Sequence, residues 1–450
     1  MMVRSFPFFA KNCSVFETAS TTASAFSFLI SLAILISFIF VGYEDFCTAP
    51  DDSSGYSQPK QAANLAKIVQ TPNKNVIFAL ISQKIMPVLE KIVISDFRNI
   101  QLQELEFSPN VNCISGNNGE GKTNLLDAIY YLSMTKSAFA TSDKFNFRHG
   151  TDEFSLSGTY RMENGLSSRF SMKMSSKGDK KVKRDDKVYN KVSEHVGTLP
   201  IVMVSPADIS MVSESGEERR RFVNAVLSQM DREYMTALQQ YNRLLQQRNR
   251  MLKEMDPDRS LLEVIDMRLS ALAEPVYKAR KRFVEDLKPI VSQYYKYVSG
   301  DSEQVDIEYE SELSKASLDQ LLEASYEKDR IMKYTTSGVQ RDDFIFTMNG
   351  HPIRRYGSQG QQKSFLVSLK FAQYEIMKKN YGFAPILLLD DVFDKLDMGR
   401  ISNLLQMVAS NDFGQIFITD SNKVRMAGIV DGLTQDRAYY ETVSGSFSRL

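Results

Sequence analysis

From Val111 to Leu132 the chain reads as a short apolar strand, a glycine-rich loop and a helix, and nothing else in it limits the fold so tightly. VNCIS (111–115) opens into Gly116-Asn117-Asn118-Gly119-Glu120-Gly121-Lys122-Thr123, and Asn124-Leu-Leu-Asp-Ala-Ile-Tyr-Tyr-Leu132 continues as a good helix. The eight loop residues satisfy G-x-x-x-x-G-K-[ST] in the strand-and-helix context that the pattern requires. Its glycines let the backbone curl until the N–H groups converge on phosphate oxygens, and the following helix N-terminus adds its dipole. Lys122 is expected to bridge the β- and γ-phosphates of a nucleotide, and the Thr123 hydroxyl to ligate Mg²⁺. Cys113, on the strand feeding the loop, reads as a packed small residue rather than a nucleophile.

A second half of such a site lies far downstream. Ala384 to Asp391 reads APILLLDD, a buried-strand run ending in two carboxylates. A parallel strand would set Asp390 at its C-terminal tip, in the Mg²⁺ shell, with Asp391 placed to orient or deprotonate the attacking water. Lys122 and Asp390 stand 268 positions apart, so a large insertion must separate two halves of one sheet. Between them, Gly357-Ser358-Gln-Gly360-Gln361-Gln-Lys363 precedes an amphipathic helix with apolar residues at Phe365, Leu369, Ala372 and Ile376. Ser358 could merely cap that helix. In this order and spacing it instead reads as the segment which, in ABC ATPases, covers the γ-phosphate held by a partner subunit. Lys395-Leu396-Asp397 falls at a D-loop position. Thr419-Asp420 stands where many such proteins carry a switch histidine, and no histidine follows His351. No Q-loop glutamine is evident, Ser205-Pro206 occupying that region.

These residues together resemble the RecF family from Met86 to the C-terminus. The motifs that carry the resemblance are Asp96-Phe-Arg98-Asn99, Asn118-Gly-Glu-Gly-Lys-Thr-Asn124, Ser205-Pro-Ala-Asp208 with Arg219-Arg-Arg-Phe222, and Gln247-Arg-Asn249. Gly338 with Arg341-Asp-Asp343, Ser358-Gln-Gly-Gln-Gln362 and Leu388-Leu-Asp-Asp-Val392 complete them. Gln340, where the family usually has His, and Lys395 depart from the pattern. The resemblance implies an α/β fold: an ABC-type ATPase head whose mixed sheet carries the phosphate loop, plus a mainly helical second lobe with a short helical hairpin. Residues 86–200 and 380–450 would form the first lobe and 201–379 the second. It adds Arg98 and Asn124 to the nucleotide contacts, with Ser358, Gly360 and Gln361 reaching the nucleotide of the other copy. It implies ATP and Mg²⁺ as ligands, an ATP-dependent homodimer and weak DNA-dependent ATPase activity. Binding to single-stranded DNA and gapped duplex, RecA loading with RecO and RecR, a place in the SOS response and a cytoplasmic location also follow from it. The alternatives are another ABC- or SMC-like DNA-associated ATPase, or a membrane-linked ABC subunit.

That last alternative rests on residues 1–85, which have no counterpart in the family. Ala25 to Tyr43 carries no charge and approaches the ~20 residues that span a bilayer. It reads as an anchor or uncleaved signal, or as upstream sequence included by a misplaced start, with Met86 the expected first residue. The misplaced start is the working expectation, and no membrane is expected for the family portion. Lys+Arg and Asp+Glu both number 55, so a nucleic-acid site must be a local patch. Three cysteines and three histidines, scattered, argue for a reducing compartment and against a zinc site.

The hairpin is expected from two apolar stripes, Tyr234, Leu238, Tyr241 and Leu245, then Leu262, Ile265, Leu269 and Leu272, with the first helix stopping near Met255. That is too short for a long SMC-type coiled coil. Arg219 to Arg221, with Arg243, Arg248, Arg250 and Lys253, reads either as a phosphate-tracking surface or as a solvated helix face. The run Lys177 to Lys187 reads as a hairpin turn of mixed charge. A nuclease would need a further acidic cluster, which is missing after Asp420, and a purely structural scaffold would not need a complete phosphate loop.

Overall fold

The computed structural model describes residues 86–162, 165–255, 257–300, 303–392, 413–423, 428 and 436–450. The stretch Ala25 to Tyr43, the rest of residues 1–85 and the D-loop residues Lys395 to Asp397 lie outside these. Among the described residues no helix is long and apolar enough to cross a membrane.

Two six-stranded sheets enclose the helix that follows the phosphate loop. The first is antiparallel. It comprises β1 (Val88–Phe97), β2 (Ile100–Glu106), β4 (Glu153–Arg161), β5 (Ser167–Ser175), β6 (Lys180–Arg184) and β7 (Lys187–Val188), in the order β2-β1-β4-β5-β6-β7. Its strands alternate. Phe154, Leu156 and Tyr160 of β4, with Phe170 and Met172 of β5, turn inward, while Ser155, Ser157, Arg169 and Lys173 face out. That is the pattern of a sheet with one wet face. The run Lys177 to Lys187 is the β5–β6 hairpin with the turn into β7, as its composition suggests.

The second sheet is mostly parallel, with β3 (Val111–Ser115), β8 (Ile201–Val204), β12 (Ile386–Asp390), β13 (Ile416–Asp420), β14 (Arg437–Val443) and the antiparallel β15 (Ser446–Arg449), ordered β15-β14-β3-β13-β12-β8. Because β8 belongs here, the chain enters the helical part only after Val204. Strands buried on both faces read as unbroken apolar runs, and ILLLD shows why. Ile386 and Leu388 join the core around α1 (Lys122–Met134), whereas Leu387 and Leu389 join the core of the helical part.

Three glutamines stitch these sheets where backbone pairing gives out. Gln415 accepts from Leu89 N and donates to Leu89 O and Ser108 O, each at 2.8 Å. Gln103 does the same for Phe447, and Gln229 for Ile201 on the edge strand β8. A primary amide presents a donor and an acceptor side by side, as a strand residue does.

The helical part holds α2 (Gly216–Met230), α3 (Arg232–Met251), α4 (Arg259–Ser299), α5 (Leu318–Met332) and α6 (Gln359–Tyr381), beside a small sheet of β9 (Val305–Glu310), β10 (Asp343–Met348) and β11 (His351–Pro352). Asp231 caps α3 as expected, accepting from Glu233 N and Tyr234 N. At 20 residues α3 is ~30 Å long and ends four residues before Met255. The returning helix is longer than its apolar stripe suggests. α4 runs 41 residues through Pro275 and Pro289, and its continuous buried face against α3 and α6 outweighs the two lost backbone bonds.

Candidate nucleotide site

Parallel pairing brings the distant halves of the site together. Asp420 of β13 pairs with Ser115 of β3, and Asp390 of β12 pairs with Thr419. The phosphate loop and the acids therefore meet at the carboxyl ends of adjacent strands, where open parallel sheets hold ligands. Thr123 Oγ1 lies 2.9 Å from both oxygens of Asp390. Thr419 Oγ1 donates to Asp390 Oδ1 at 2.8 Å and accepts from Asp391 N at 3.0 Å, so one hydroxyl holds both acids. Asp391 sits in left-handed backbone, φ 44°. Burial pushes the Asp390 carboxyl above its ordinary range; the Thr419 and Thr123 hydroxyls oppose this, Asp391 adds to it and Lys122 opposes it. Lys122 is buried, its Nζ donating to Gly116 O and Asn117 O at 2.9 and 3.1 Å. Thr123 and Asp390 offer hard oxygen donors of the kind Mg²⁺ takes.

The loop is braced by the β1–β2 turn and the β14–β15 hairpin. Glu120 O accepts from Asn99 Nδ2, Thr442 Oγ1 and Gly445 N, and the Glu120 carboxylate accepts from Ser444 N. Gly121 has φ 112°, and a Cβ there would meet the Asn99 amide at 2.9 Å, so both backbone and space call for glycine. Asn124 Nδ2 donates to Asn99 Oδ1 at 2.7 Å. Arg98 in turn donates to Asn124 Oδ1 at 3.1 Å and Ser137 Oγ at 3.0 Å, and pairs with buried Asp127 at 2.6 Å. The side chains of Arg98, Glu120 and Asn124 are thus engaged in supporting the loop. Asn118 and Gly119 form its exposed tip.

Ser358, Gly360 and Gln361 form a separate constellation at the start of α6. Ser358 Oγ accepts from Gln361 N at 3.2 Å while Gln361 Oε1 accepts from Ser358 N at 2.7 Å, a complete capping box. The N–H groups of Gln359 and Gly360 are left over by this cap, and Ser358 is exposed. Farther along α6, Lys370 pairs at 3.0 Å with Asp208, whose carboxylate also caps the turn at Ser205. The region without a Q-loop glutamine is therefore tied to the same helix by an ion pair.

The arginines of the helical part divide differently from the sequence reading. Arg219 binds Asp343 through two hydrogen bonds of 2.8 and 2.9 Å, and fully buried Arg248 binds Asp266 and Asp329, each at 2.6 Å. A phosphate-tracking role for these two is overturned, because each guanidinium is enclosed with its own carboxylate. Arg221 stays on the surface beside Glu217 and Glu218. Residues that sequence reasoning passed over are Thr442, Asn99 as a brace, and Thr419 as the link between the acids. Thr419 gave a signal, standing where a switch histidine is common, as did Asn99, which closes the Asp96–Asn99 motif; Thr442 gave none.

The RecF/RecN/SMC N terminal domain family model matches residues 88–435. The chain is 44% identical to the DNA replication and repair protein RecF of Parabacteroides distasonis over 80% of this chain and 98% of that protein. It is 41% identical to that of Bacteroides fragilis over 81% and 98%. Among solved structures it is similar to the recombination mediator protein RecF-ATP in the RecFOR pathway, with a TM-score of 0.74 and 29% identity over 81% of this chain and 98% of that one.

Proposed function

The chain belongs to the RecF family, and from that premise we propose that it is an ATP-switched DNA-binding repair protein. ATP and Mg²⁺ would occupy the loop Gly116 to Thr123, with Thr123 and Asp390 as the protein ligands of the metal. Bound there, Mg²⁺ would neutralise charge developing on the transferred phosphate. Lys122 would leave its loop carbonyls for phosphate oxygens, and Asp391 would orient or deprotonate the attacking water. Ser358 and Gly360 of a second copy would close over the γ-phosphate, so each site would need two chains. The dimer would bind DNA at gaps or single-strand/duplex junctions and promote RecA loading with RecO and RecR. The observation that carries this reading is the bond from Thr123 to Asp390. It brings together two oxygen-bearing side chains 267 positions apart, which supports reading them as the metal's ligands, while the Ser358–Gln361 cap lies on α6.

The test is sedimentation with and without ATP, and with short gapped duplexes. ATP is expected to shift the protein to a dimer and the duplex to enhance the shift. Ser358→Arg should still bind ATP as a monomer but not dimerise, and Lys122→Ala should fail for want of its own nucleotide. Mixing the two creates heterodimers with one intact site, so partial ATPase activity should return. No recovery from heterodimers shown to form would overturn the shared site.

A further inference from the structure

α6 lies along α4, whose other end forms the hairpin with α3. Just past the C-terminus of α4, capped by Gly300, the chain places Glu303 between that helix and the signature cap. Glu303 Oε1 accepts from Gln361 Nε2 at 2.7 Å, and Glu303 Oε2 accepts from the Tyr295 hydroxyl at 3.1 Å. Tyr295 is fully buried in the last turns of α4. The orientation of the Gln361 amide is thereby dictated. Its oxygen must face Ser358 N to complete the capping box, so its nitrogen must point outward and needs an acceptor there. Glu303 is that acceptor.

We propose that Glu303 is a positioning residue for the segment at the start of α6, fixing the Ser358–Gln361 cap through Gln361 and tying it through Tyr295 to α4, the second helix of the hairpin. This rests on the shared-site reading above and adds to it a route by which the α3–α4 hairpin reaches the site. A shift of α4 relative to α6 would strain the Tyr295–Glu303–Gln361 chain and disturb the geometry of Ser358, the group that must approach the partner's phosphate. The Gln359 and Gly360 N–H groups would lose alignment with it. A negative charge close to an anion site is otherwise unfavourable. Here both carboxylate oxygens are engaged by donors, which hold the carboxylate in place.

The experiment compares the full chain with Glu303→Ala, Glu303→Gln and Tyr295→Phe by sedimentation in ATP and Mg²⁺. Hydrogen exchange of the Ser358 and Gln361 amides is followed without nucleotide. Glu303→Ala should dimerise about tenfold more weakly, the worth of one hydrogen bond to a charged group, while equilibrium dialysis finds monomer affinity for ATP unchanged. Its cap amides should exchange faster. Glu303→Gln still offers an acceptor to Gln361 and can donate to Tyr295, so it should behave as the native chain. Tyr295→Phe should fall between. Native dimerisation and exchange in Glu303→Ala, or a Glu303→Gln chain as weak as Glu303→Ala, would overturn the proposal. A native chain that stays monomeric in ATP removes the shared-site reading, and the positioning step is then judged by exchange alone. Faster cap exchange in Glu303→Ala, intermediate in Tyr295→Phe and native in Glu303→Gln, would support that step independently of dimerisation.

Discussion

At the ends of β3, β12 and β13, the charged and hydroxyl side chains of Lys122, Thr123, Asp390, Asp391 and Thr419 gather. Lys122 donates to loop carbonyls, and Asp390 accepts from two threonine hydroxyls. Between α3, α4 and β10 the opposite holds. Arg280 donates to Asp342 Oδ2 and Val339 O, each at 2.6 Å, while Tyr234, Asn224 and Tyr309 fill the remaining positions. Arg248 is likewise enclosed by Asp266, Asp329 and Thr335. Both regions bury charge. One holds its charge by hydrogen bonds to hydroxyls and loop carbonyls, with Lys122 near Asp390, and the other pairs each guanidinium directly with a carboxylate. Buried charge that is fully paired specifies how helices dock; buried charge that is only partly compensated marks where chemistry can occur.

The largest effect should come from Asp391→Asn. Asn tolerates the left-handed backbone of that position, and the proposed metal ligands Asp390 and Thr123 are untouched, so folding and ATP binding should survive. Turnover should fall ~10²–10⁴-fold, the usual worth of a general base, and an ATP-bound dimer should accumulate. Near-native turnover in a single-turnover assay would assign the base elsewhere and break the contrast on its chemical side.

Arg280→Ala should do the reverse. It strands Asp342, 2% exposed, without its cation, and breaking a buried pair costs on the order of 3–5 kcal/mol. Denaturant melts should show that loss while the folded fraction binds ATP with native affinity. Arg221→Ala, whose exposed partners are Glu217 and Glu218, should cost about 0–1 kcal/mol. A small loss in Arg280→Ala would mean that the helical part relaxes around Asp342, and the comparison would lose its structural side.

How much of this was legible in the sequence follows the same division. The phosphate loop, the strand ending in Asp390 and the cap at Ser358 are local patterns whose backbone geometry is fixed by neighbours in the chain, and they appear where the residues indicate. Arg219 and Arg248 read as surface charge because Asp343 and Asp329 lie 124 and 81 positions away, and Arg248's other partner, Asp266, lies 18 away on the next helix. No periodicity announces such a pair. The length of α4 was hidden too, since Pro275 and Pro289 are local stop signals overridden by packing against elements distant in sequence. Thr442 and Gly445 brace the loop from across the sheet, more than 300 positions from Glu120, and carry no motif at all.

A smaller effect than those of Asp391→Asn and Arg280→Ala tests the boundary between the two kinds of region. Thr419 is fully buried, like the arginine network, yet it acts on both site acids. Thr419→Val keeps the shape and removes the hydroxyl; Thr419→Ser keeps the hydroxyl. If the group is chiefly structural, the valine chain should lose stability and retain its turnover per folded molecule. If it sets the acids, turnover should fall about tenfold, one hydrogen bond's worth, with little change in the melt, and serine should restore it. The pH profile separates these further. The hydroxyl favours the ionised form of Asp390, whose carboxyl burial has already raised. Removing it raises that carboxyl again, so Mg²⁺-dependent ATP binding, which needs the carboxylate, should be lost at a higher pH as the solution is acidified. A valine chain whose acid limb coincides with that of the native chain would show that Thr419 packs beside Asp390 without tuning it.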